Sequence, residues 1–60
     1  MSAFLLRRRK IIAEQACRVG APIATKIRCW ELYREAALEA NDEKEFDYAD
    51  KQITLLQNFL

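Results

Sequence analysis

The sequence predicts an all-α fold of three helices, and three observations carry that expectation. Apolar residues recur in steps of three and four over most of the chain. Only Gly20 and Pro22 punctuate it, and 52% of its residues are hydrophobic. The expected helices cover about residues 3–18, 22–40 and 43–59, the last two forming an antiparallel hairpin that dimerises into a helical bundle.

In the first helix Leu5, Ile12, Ala16 and Val19 fall near one face, with Arg8 and Arg9 interrupting the stripe. Its end is marked by three consecutive residues. Gly20 suits a left-handed C-terminal position, Ala21 is pushed out of the helical region by the proline after it, and Pro22 fits the first turn of a new helix. No Ser, Thr, Asp or Asn stands at position 21 to cap that helix, so its start is free to slip by a few residues.

The second helix carries Ile23, Ile27, Trp30, Tyr33, Ala37 and Ala40 on one continuous face. The small Ala36, Ala37 and Ala40 allow another helix close to its end. Asn41-Asp42 reads as a tight link: Asn tolerates a left-handed stop, and Asp42 caps the next helix with Glu45 three residues on. So short a link turns the third helix back against the second.

The third helix gives the clearest pattern. Phe46, Ala49, Ile53, Leu56 and Leu60 repeat as a heptad seam, and Tyr48, Gln52, Leu55 and Phe59 form a second line beside it. That face is wider than one neighbour covers, so the helix is expected to lie between two partners. One is the second helix. The other is the first helix or the third helix of a second subunit.

Size sharpens the expectation of a twin. A chain of 60 residues buries only about 60% of the surface it exposes when unfolded, so small folds recruit disulfides, a metal or another subunit. Two cysteines, Cys17 and Cys29, and no histidine supply neither a disulfide framework nor the four ligands of a structural zinc site. Self-association is left, with Trp30, Tyr33, Phe46, Ala49, Ile53, Leu56, Phe59 and Leu60 as the expected interface.

No catalytic residue, metal or cofactor is expected. Without histidine there is no ordinary Ser-His or Cys-His pair, and one glycine cannot build a phosphate-cradling loop. Glu31, Glu35 and Glu39 have the spacing of a solvated helix face. No apolar run approaches the ~20 residues that span a bilayer. Phe4-Leu5-Leu6 precede the basic run, the reverse of a signal peptide, so a cytoplasmic protein without a membrane partner is expected.

The net charge of +1 hides a segregation. Residues 1–30 carry Arg7, Arg8, Arg9, Lys10, Arg18, Lys26 and Arg28 against Glu14 alone. The rest of the chain sets Arg34, Lys44 and Lys51 against Glu31, Glu35, Glu39, Asp42, Glu43, Glu45, Asp47 and Asp50. The two halves attract each other, within one chain or between two. Arg7, Arg8, Arg9 and Lys10 wrap most of a helix circumference and read as a solvated face that also meets the acidic third helix. The alternative is a nucleic-acid contact, made by these four or by Thr25, Lys26 and Arg28.

Two resemblances bear on these alternatives. Ala16, Val19 and Gly20, with Ile27 and Trp30 behind them, resemble a helix-turn-helix over Ile12–Tyr33. That likeness implies Thr25, Lys26 and Arg28 facing a groove; Lys26 stands where the motif has an apolar residue. In size and plan, the hairpin Ile23–Leu60 with its Asn41-Asp42 link resembles the small helical-hairpin regulatory and accessory proteins of plasmids and temperate (lambdoid) bacteriophages, the Rop type. This second resemblance implies a dimeric four-helix bundle that binds RNA or a protein. The basic first segment and Pro22 depart from Rop. The expected function is a non-enzymatic homodimeric helical interaction module with a protein partner, and the alternative is a nucleic-acid-binding regulator.

Overall fold

The computed structural model describes residues 2–60, with side chains from residue 4 onward. Among these residues the chain forms three α-helices and no strand: α1 (Ser2–Arg18), α2 (Ile23–Glu39) and α3 (Glu43–Gln57). None of them is long and apolar enough to cross a membrane.

Both turns are built the same way. Gly20, at φ 74°, lets the Ala21 amide donate to the Ala16 carbonyl (3.1 Å) while the Gly20 amide reaches Cys17 (3.4 Å). Asn41, at φ 60°, repeats this, with Asp42 donating to Ala37 (2.9 Å) and Asn41 to Leu38 (3.1 Å). Each is a Schellman stop, and each needs a residue that tolerates the left-handed region. Pro22 is the residue before α2 rather than its first helical residue; its carbonyl accepts from Lys26 (3.0 Å), and no side chain caps the helix. Asp42 caps α3 as its position predicts, accepting from the Glu45 amide at 3.2 Å.

The helices run antiparallel in order, in a body of 32 × 19 × 12 Å. Arg9 Nη1 donates to the Leu32 carbonyl (3.1 Å), and Trp30 Nε1 donates to Cys17 Sγ (3.4 Å), so both halves of α1 reach the middle of α2. α3 returns along the other flank of α2, where Arg34 pairs with Asp50 at 2.6 Å. Among the described residues no Cα of α1 comes within 8 Å of one in α3. Side chains alone close that gap.

The core is Ala13, Trp30, Tyr33, Ala49 and Ile53, flanked by Leu6, Ile27, Cys29 and Leu56. Small residues of α1 and α3 thus receive the two large rings of α2, with Ala36 and Ala37 also buried. The predicted faces of α2 and α3 turn inward, but the predicted stripe of α1 does not. Ile12 is 47% exposed and Val19 70%, and Ala13 and Leu6 hold the inner face instead. The helix is rotated by about one position, 100°, because Arg9 and Lys10 lay their stems along α2 and α3 and keep their charges on polar partners. The third helix also ends two residues early. Phe59 and Leu60 lie beyond Gln57, so Leu60 does not extend the buried seam.

Ile53 is 3% exposed between the aromatic rings and Leu56. Ile53→Asp strands a charge in that core, at a cost of at least about 3 kcal/mol, comparable with the whole stability of so small a domain. Circular dichroism at neutral pH should show most of the helix lost. A melting curve like that of the unsubstituted chain would refute this packing.

Candidate functional site

The polar side chains converge where α1 and α3 face each other across α2. Tyr33 is fully buried, and its hydroxyl donates to Glu45 Oε1. Lys10 Nζ approaches the same oxygen at 3.1 Å. One carboxylate therefore satisfies a buried hydroxyl of α2 and a cation of α1, which ties the three helices at one point. Over this node lies Tyr48, whose ring centroid is 5.4 Å from that of Trp30, edge-on, and 6.2 Å from that of Tyr33. Lys10 Nζ stands 5.5 Å from the Tyr48 centroid, within cation–π range. Burial raises the Tyr48 hydroxyl above its ordinary 10.0, and the Glu14 carboxylate 3.5 Å away raises it further, while Lys10 opposes both.

What the node does is join the helices: it links α1, α2 and α3 through Lys10, Tyr33 and Glu45. The cysteines remain apart as free thiols, Cys17 beneath the Trp30 indole and exposed, Cys29 half-buried.

The eight residues expected at a dimer interface divide sharply. Trp30, Tyr33, Ala49 and Ile53 are buried inside one chain, Leu56 is half-buried against the same core, and Phe46 is half-buried near the link. Only the last two stand free, Phe59 at 73% exposure and Leu60 at 82%. Phe59 belongs with Leu55, 51% exposed, to the second line of the heptad pattern, and Leu60 ends the first; both lie just past the last turn of α3. Of that second line Gln52 is half-buried and Tyr48 packs on Trp30 and Tyr33, so Leu55 and Phe59 are the part that faces outward.

The seven residues expected at a nucleic-acid contact, six of them cations, also divide. Arg9 and Lys10 turn inward to Leu32 and Glu45, whereas Arg7 and Arg8 are exposed. Thr25 and Arg28 are exposed on α2 and Lys26 is half-buried; Arg28 lies 3.7 Å from Glu31. Glu35 and Glu39 are exposed further along the same helix.

One concave surface was not legible in the sequence. The end of α2 and the start of α3 enclose a shallow depression of about 370 Å³, with Ala37, Leu38 and Phe46 as its apolar walls. Asp42, Glu43 and Asp47 stand around it. Leu38 lies outside every predicted stripe, which is the one signal that could have marked it.

Comparison with protein-family models, with curated proteins and with solved structures finds no match for the chain.

The raised Tyr48 value fixes the sign of a pH effect. A group held above its unfolded value stabilises the fold below pH 10.0, and that contribution disappears as pH rises through the folded value. A difference absorbance titration between the unsubstituted chain and Tyr48→Phe should find this phenol ionising above the ordinary range. Glu14→Gln should bring it down and Lys10→Met push it up; the opposite order would refute the geometry of the node.

Proposed function

We propose that the chain is a non-enzymatic helical interaction module, acting as a homodimer and holding a protein partner. The observation that carries this reading is the apolar outer surface at the end of α3, Leu55, Phe59 and Leu60, which stays open to solvent although the chain has a core of its own. Leu55 and Phe59 keep the four-residue step of the second predicted line, which runs to the end of α3 and just past it. At roughly 200 Å² for a large apolar side chain, the line offers several hundred Å², a substantial part of the ~800 Å² per partner of a standard interface. It carries no charge, as the centre of a protein–protein contact requires.

The inward turn of Arg9 and Lys10 and the acidic run on α2 support a protein rather than a nucleic acid as partner. A regulatory or accessory role, of the kind the phage and plasmid hairpin proteins fill, is the setting in which a domain without catalytic groups acts by occupying a surface.

Sedimentation equilibrium should give twice the chain mass of 7.0 kDa, with a melting temperature that rises with protein concentration. A mass of 7.0 kDa and a melting temperature independent of concentration would refute the homodimer. Leu55→Glu with Phe59→Glu replaces exposed side chains, so helicity should stay within ~0.5 kcal/mol of the original stability while partner binding is lost. Binding that survives this pair of substitutions would exclude the outer line as the contact.

A further inference from the structure

We infer that the link end of the molecule is the self-contact: the acid-rimmed depression between α2 and α3 receives Phe4, Arg7 and Arg8 from a second copy. This rests on the homodimer reading and says where the two chains touch. Three observations meet at that end. The depression has apolar walls, Leu38 and Phe46, under Glu43 and Asp47, both exposed. Phe4 is 74% exposed, and Arg7 and Arg8, one turn further along the same helix, are exposed too. The bridge from Lys10 to Glu45 aligns the first half of α1 with the start of α3, which puts Arg7 level with Asp42 and Phe4 beyond it.

A single chain cannot bring these surfaces together, because α1 and α3 lie on different flanks of α2 and Lys10 is the cation that spans the gap. A twofold axis through that end can. It sets the basic α1 of each copy on the acidic depression of the other, so the same patch serves both chains. The chemistry is complementary in both respects: an aromatic ring for an apolar hollow large enough to take one, and two guanidinium groups for two carboxylates. A nucleic acid fits this end poorly, since the rim beside the arginines is acidic. The uncharged outer line of α3 is then left for the protein partner.

The test is a charge swap read by native mass spectrometry and sedimentation at low ionic strength. Two variants are made in the full chain, Arg7→Glu with Arg8→Glu, and Glu43→Lys with Asp47→Lys. All four positions are exposed, and circular dichroism checks that each variant is folded. Each alone faces like charges across both halves of the contact, and its self-affinity should fall at least about tenfold. Mixed in equal amounts they restore both halves, and the heterodimer should form with the affinity of the original chain. Phe4→Ser should weaken the original dimer at low and high salt alike. If the unsubstituted chain is a dimer that neither reversal disturbs, or if the mixture stays monomeric, the assignment of this end is overturned while the homodimer stands. If the unsubstituted chain is monomeric, both fail, and the depression has a foreign basic segment or no occupant.

Discussion

The fold depends on one carboxylate. Glu45 accepts from the buried Tyr33 hydroxyl and pairs with Lys10, so it is the atom group through which α1, α2 and α3 meet. The alternative for Tyr33 is a hydroxyl with no partner in a fully buried position, which costs about 1–3 kcal/mol. Glu45 reaches this point because α3 starts where it does, and Asp42 sets that start by capping the Glu45 amide. The link therefore does two things at once. Asn41 stops α2 in the left-handed region, and the cap three residues before Glu45 fixes the register of the polar node.

Size matching does the rest. The α1–α3 spacing is too wide for backbone approach, and the rings of Trp30, Tyr33 and Tyr48 fill it in tilted and edge-on pairs. Ala13 and Ala49 are what allow those rings in, since a longer side chain at either place would overpack a closed core. A core made this way is narrow. It consumes the inner seam of α3 and leaves the outer line and the ends of α1 uncovered, which is why the chain carries both a folded interior and surfaces that suit a second molecule.

Much of this was legible in the sequence, and the exceptions have physical causes. The faces of α2 and α3 follow from periodicity because their inward residues are apolar without interruption from Trp30 to Ala37 and from Phe46 to Ile53. The turns follow from Gly20 and from Asn41-Asp42, residues chosen by backbone conformation rather than by packing. The face of α1 was misread because periodicity counts Arg9 and Lys10 as surface, whereas both lie half-buried with their charges on Leu32 and Glu45. Attraction between the basic and acidic halves was expected, and Lys10 with Glu45 is its local form; that Tyr33 shares the same carboxylate needed coordinates. The depression was out of reach for a further reason. Its walls come from two helices and its rim from the link, and no single period joins Leu38, Asp42 and Phe46.

The two open surfaces differ in kind, and that difference assigns them different work. At the link end both signs of charge stand beside apolar side chains, Arg7 and Arg8 with Phe4, Glu43 and Asp47 with Leu38. Opposite charges close together on one rigid body favour a partner with the same arrangement inverted, and a twofold copy is the nearest molecule that has it. The outer line of α3 has no such code. It offers bulk apolar surface that gains by leaving water and discriminates by shape, as Leu55 and Phe59 would against a partner helix. Charge gives a contact its specificity and its sensitivity to salt, and apolar burial gives it strength. The two surfaces lie apart from the Lys10–Glu45–Tyr33 node, so a substitution in either leaves that node's contacts in place.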